Sequence, residues 1–154
     1  MNSRTLKNEL KAFLEKNVYS PEIDQPLKKP NIYIESLPKR KYKEDEEKIF
    51  PFILIEAQEG VFYKSSAGEK STFQLSLCIG IDTSKDDNPE LESITDNIIH
   101  SILEKRIVGD CFEIQDPIKT EYGKDDYAPF YYAGMSLTFT IPSIEDNSIT
   151  EILL

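Results

Sequence analysis

Apolar and polar residues alternate through TFQLSLCIGID, Thr72 to Asp82. Phe73, Leu75, Leu77, Ile79 and Ile81 fall on one side, and Gln74, Ser76, Cys78 and Gly80 on the other. A period of two with one greasy side predicts a β-strand that buries one face. GMSLTFTIP, Gly134 to Pro142, has the same pattern. Met135, Leu137, Phe139 and Ile141 alternate with Ser136, Thr138 and Thr140. In both segments the polar side is short and uncharged until Asp82, in a chain where 30% of residues are charged. Exposed sheet faces ordinarily carry Lys, Glu or Arg, whereas interface cores are depleted of charge. Two explanations fit: a neighbouring subunit lies on this face, or an N-terminal helix of the same chain covers it.

That helix is predicted over 3–16, SRTLKNELKAFLEK, where Leu6, Leu10, Phe13 and Leu14 share one side and Ser3 can cap the start. An extended, proline-rich connector follows, then a short strand at 31–35. FPFILIEAQEG, 50–60, reads as a strand whose Pro51 sits where no ladder bond is needed. A turn-rich link leads into the 72–82 strand. A long helix is predicted at 89–106. Asn88 is placed to cap it, Pro89 opens it, and Leu91, Ile94, Ile98 and Ile102 form its apolar stripe. Lys105 and Arg106 sit near its end, with Gly109 just past it. CFEIQDPIKTEYG suggests one or two short strands with Pro117 marking a bulge or an edge. DDYAPFYYAG reads as an aromatic loop before the final strand. The expected fold is α+β: a mainly antiparallel sheet, a long helix packed on one face, and an additional N-terminal helix. One domain is expected over 1–154, with a flexible C-terminal tail over about 143–154.

Two segments stand apart. Over 36–49 a basic cluster, Lys39, Arg40, Lys41 and Lys43, abuts an acidic one, Glu44, Asp45, Glu46 and Glu47, with no apolar periodicity. This is a solvated loop or a docking arm. Tyr127, Phe130, Tyr131 and Tyr132 make the aromatic segment either an edge of the core or a protein contact.

The net charge of −10 argues against non-specific nucleic-acid binding and against an anionic membrane surface. It suits protein or cation partners. The first ten residues lack the apolar stretch of a signal peptide, and Cys78 and Cys111 are far apart, so reduced thiols in a cytosol are expected. Catalytic groupings are sparse. His100 is the only histidine, four residues after Asp96, and no further ligand completes a metal site. Asp82, Asp86 and Asp87 surround a helix start, where acids also serve as caps. No phosphate-binding glycine loop and no nucleophile elbow is present. No catalytic, cofactor-binding or metal-binding residue is therefore assigned.

The ordered features carry a resemblance. Phe50-Pro51-Phe52 opens a strand, and the 72–82 strand ends in an acidic loop. PELESITDNIIHSIL and DCFEIQDPIKTEY follow, and YAPFYYAGMSLTFTIP closes the series, with a turn expected at Pro129 to Gly134. Over about residues 50–142 this order resembles the tail terminator family of tailed bacteriophages and prophages, also called tail completion or minor tail proteins. The 3–16 helix fits the family's N-terminal helix, while the charged 36–49 segment departs from its pattern. The resemblance implies a homo-hexameric ring on the head-proximal end of a tail tube. Such a ring stops tube polymerisation and offers a surface to head-completion or connector proteins, and to the sheath where the tail contracts. It implies a virion or tail-like particle assembled in the bacterial cytoplasm, with no catalysis and no cofactor. The candidate interface residues are those of the charged segment and the aromatic segment. Alternatives are a head–tail connector or neck protein, a small metal-dependent hydrolase using Asp82, Asp86 and Asp87, and a monomeric binding module.

Overall fold

A computed structural model describes residues 3–18, 29–39, 48–61, 71–84, 91–123 and 128–141. The elements are α1 (Ser3–Asn17), β1 (Asn31–Ile34), β2 (Phe52–Val61), β3 (Ser71–Asp82), α2 (Leu91–Lys105), β4 (Ile107–Val108), β5 (Phe112–Tyr122) and β6 (Phe130–Ile141). Six strands form one sheet in the order β1-β2-β3-β6-β5-β4. The sheet is mixed: β1 runs parallel to β2, and the other neighbours are antiparallel. The fold is α+β.

The alternation in β3 and β6 puts their apolar residues on one face. Leu75, Leu77 and Ile79 of β3 meet Leu137 and Phe139 of β6 there, all 1% exposed or less. Both helices pack on this same face. Leu6, Leu10 and Leu14 of α1 and Ile94, Ile98 and Ile102 of α2 join the strand residues in one cluster. The uncharged face of β3 and β6 is thus not covered by α1, and one of the two explanations above is removed. An amphipathic helix has one greasy stripe, and the more apolar sheet face captures it.

Helix α2 ends within one residue of the expected position, but its capping residue differs from expectation. Arg106, not Gly109, takes the left-handed conformation that ends the helix, with φ 60°. Its N–H donates to the Ile102 carbonyl at 2.7 Å, closing a single capping bond. Gly109, at φ 61°, instead turns the chain between β4 and β5. A Cβ at Gly109 would lie 2.7 Å from Cγ of Glu9, so a side chain there would have to displace Glu9 of α1.

Strand β5 is continuous but irregular. Gln115 pairs with Thr138 and Lys119 with Ser136, so the ladder bulges around Pro117. The aromatic segment is not wholly a loop. Phe130, Tyr131 and Tyr132 already pair with Asp82, Ile81 and Gly80 as the start of β6, so the turn expected at Pro129 to Gly134 is strand from Phe130 onward. The end of the charged segment is also shorter than expected, because Ile49 is only 3% exposed and belongs to a packed cluster. Residues 40–47, 127 and 143–154 lie outside the described residues. No helix among the described residues is long and apolar enough to cross a membrane.

Glu35 ties α1 to the sheet edge. Its carboxylate accepts from Lys7 Nζ and from the Ala57 N–H, the latter at 3.1 Å. The Lys7 ammonium, with lesser help from Ala57, holds its carboxyl below the usual glutamate value, against a smaller opposing effect of burial. A lowered folded pKa makes this contribution complete well above the ordinary value of 4.5 and removes it as pH falls through the lowered one. Urea unfolding of wild type and Lys7→Met should therefore differ most near neutral pH and converge in acid. Leu10→Ala, at a position 0% exposed, should lower unfolding free energy by about 2–5 kcal/mol in the same assay.

Candidate interface on the second face of the sheet

The face turned away from the helices can be built row by row from the strand register. Across β2, β3, β6 and β5 the rows read Leu54–Cys78–Gly134–Glu121, then Glu56–Ser76–Ser136–Lys119, then Glu59–Gln74–Thr138–Gln115. A fourth row joins Val61, Thr72, Thr140 and Glu113. The two central strands thus present a strip of short, uncharged side chains. The flanking strands raise Glu56, Glu59, Glu113, Glu121 and Lys119 along its borders. None of these five takes part in an ion pair among the described residues.

Glu59 reaches this face through a bulge. Ala57 pairs with Leu75, on the apolar side, and Glu59 with Gln74, on the polar side, so Gln58 is one extra residue. Near the far end of the strip Gln115 Nε2 donates to Thr140 Oγ1 at 3.1 Å and to the Glu113 carbonyl at 3.3 Å. The strip residues of β3 and β6 are half-buried, apart from Gly134, which is exposed, and only Cys78, beside the aromatic end, packs against a hydrophobic cluster.

One end of the face is closed by aromatic packing. Phe50 stacks on Phe130 with ring centres 4.9 Å apart and meets Phe52 at 5.1 Å and Tyr132 at 6.1 Å. Such spacings are those of favourable offset and tilted pairs. Phe50 and Phe52 are 0% and 2% exposed. Tyr33, Leu37, Leu54 and Cys78 pack around them. Gly80 makes this possible: a Cβ there would sit 2.3 Å from Phe52 Cε2 and 3.0 Å from Phe50 Cε1. The absent side chain lets the Phe52 ring lie directly on β3. Asn31 fastens the segment before Phe50, donating from Nδ2 to the carbonyls of Lys48 and Ile49 at 3.2 and 3.0 Å.

Beside this cluster the face is hollow. Gly134 stands opposite Cys78 and adds no side chain, leaving an open groove of about 510 Å³ bounded by Gln58, Ser76, Lys119 and Glu121. A second hollow of about 420 Å³ adjoins it beneath Tyr122 and Tyr132. Both are troughs rather than enclosed cavities. They lack the enclosure that buries most of a small ligand.

The residues singled out in sequence are distributed as follows. Phe130 and Tyr132 belong to the aromatic cluster, while Tyr131 points to the opposite face and packs on the main core. Lys39 is exposed, and Arg40, Lys41, Lys43, Glu44, Asp45, Glu46, Glu47 and Tyr127 lie outside the described residues. Leu37 and Ile49 anchor the two ends of the charged segment on the aromatic cluster. Asp82, 1% exposed, accepts from the N–H and hydroxyl of Ser84 at 3.0 and 2.6 Å and so serves as a turn-former. No group of three His, Cys, Asp or Glu among the described residues is placed to hold a metal ion. His100 is paired with Glu104 at 3.9 Å on the solvent side of α2, with its side chain 84% exposed. Burial, with the nearby Asp110 and Glu9 carboxylates, pushes the Cys111 thiol up and away from the reactive thiolate. The acidic borders Glu56, Glu59, Glu113 and Glu121 were not among the residues singled out from sequence. Their grouping depends on strand register and on the bulge at Gln58.

Compared with known proteins, the chain matches no family model and no curated sequence.

Gly80→Ala should drive the Phe52 and Phe50 rings from their places and lower stability by about 1–3 kcal/mol. Urea unfolding reads the loss, and the near-ultraviolet circular dichroism of the aromatic residues should weaken with it.

Proposed function

We propose that this chain is a non-catalytic assembly subunit that caps the head-proximal end of a bacteriophage or prophage tail tube as a closed ring, commonly a hexamer. The observation that carries this reading is the open part of a sheet face, beyond its aromatic end, with an uncharged centre and no covering element among the described residues. Charge-depleted surface of this kind suits contact with protein better than contact with water. A closed ring requires two different patches on each subunit. The order of elements, an N-terminal helix, strands, a second helix and further strands in one mixed sheet, is compatible with the reading. The open troughs suit a surface for other chains better than a pocket for a substrate.

In this role the ring ends tube growth by occupying the last layer of tube subunits. Its other side receives the head-completion or connector protein, and its rim meets the sheath where the tail contracts. The particle is a virion tail or a tail-like assembly built in the bacterial cytoplasm.

Light scattering across a concentration series, with negative-stain images of the same sample, should give the mass of about six subunits and a central hole. Added to polymerising tail tube protein from the same genome, the chain should shorten the tubes and decorate one end. Tubes that grow unchanged and undecorated overturn the reading.

A further inference from the structure

We propose that the strip on the second face receives helix α1 of a second copy of this chain, in a head-to-tail contact. The proposal rests on the ring reading above and names the surfaces that meet. The strip is acidic at its borders, with Glu56 and Glu59 on one side and Glu113 and Glu121 on the other. Its occupant must bring positive charge to both borders and a small, uncharged surface to the centre. The same acidic borders oppose one strip stacking on another.

Helix α1 has these properties. It carries Arg4, Lys7, Lys11 and Lys16 against Glu9 and Glu15 in a chain of net charge −10, whereas α2 holds more acids than bases. Leu6, Leu10 and Leu14 point into the core. At 3.6 residues per turn the opposite side is centred on Asn8 and Ala12, and both are exposed. Arg4 and Lys11 lie to one side of that line and Lys16 to the other, where Glu9 lies further round against Gly109. Glu15 shares the outward side, and Lys119 on the border is its complement.

The dimensions agree. Three strand spacings separate β2 from β5, about 14 Å, which admits a helix of about 10–12 Å diameter. From Thr72 to Cys78 the strip runs about 20 Å, and the 15 residues of α1 span about 22 Å. The hollow at Gly134 gives the helix side chains room to settle. One such contact is smaller than the roughly 800 Å² per partner of a standard interface, so it is weak alone and gains by repetition around a ring.

A charge swap tests the contact. Glu59→Lys with Glu121→Lys reverses one charge on each border, and Arg4→Glu with Lys16→Glu reverses α1. All four positions are exposed. Sedimentation equilibrium up to about 1 mM detects even weak association. Each double variant alone should associate about tenfold or more weakly than wild type, because like charges then face each other. An equimolar mixture should regain wild-type association, since each variant's altered surface meets the other's. Wild-type association should also weaken with rising salt, a readout that needs no variant. Three results overturn the contact: wild type remaining monomeric to 1 mM, salt-insensitive association, or a mixture that fails to recover when both folded variants have lost it. Tube capping is scored separately. Capping without self-association removes this contact and leaves the ring reading standing. Association that follows the swap without capping removes the ring reading and keeps the contact.

Discussion

The pairing of β3 with β6 holds in unbroken register from Ser71 and Ile141 to Asp82 and Phe130, and the rest of the structure is arranged around it. A two-stranded unit of this length has two faces, and strict alternation makes them chemically different. One is aliphatic and draws both helices to itself. The other retains only what its own side chains can satisfy. Helix packing therefore concentrates the hydrophobic stabilisation on one side and leaves the opposite side without a covering helix.

The second face is itself divided. Aromatic rings close one end, where Phe50, Phe52, Phe130 and Tyr132 supply a small core independent of the helices. The remainder stays open because Ser, Thr, Cys and Gly have too little bulk to form one. The aromatic end fixes the chain on either side of the charged segment through Leu37 and Ile49, so that segment leaves from a firm base. Acidic borders and a neutral centre then give the open part a definite electrostatic pattern.

Much of this was legible in the sequence, and the exceptions have physical causes. The alternation in β3 announced its faces, and the i, i+3, i+4 spacing of leucines and isoleucines located both helices. Amphipathicity could not say which sheet face α1 would take, because it specifies a greasy stripe and not its destination. Phe130, Tyr131 and Tyr132 concealed a strand start because each face demands an aromatic there, so period two is lost. The left-handed residue that ends the helix, Arg106, was hidden because glycine usually takes that conformation, and Gly109 was needed three residues later against Glu9. The acidic borders required knowledge of register that no single segment contains.

The two bulges differ in arithmetic. At Gln58 one extra residue is accommodated, so the sides of β2 exchange and Glu59 joins Glu56 on the same surface. Around Pro117 two extra residues are accommodated, and Gln115 and Lys119 stay on the side they would have held without them. The two places therefore differ in how much length each can lose. Loss of the extra residue at the first would restore a regular ladder, with Glu59 still opposite Gln74. A change of two at the second would preserve which way every later side chain of β5 points. Each bulge is thus a place where its strand can shorten, by one residue at Gln58 and by two around Pro117, while the later side chains keep their faces.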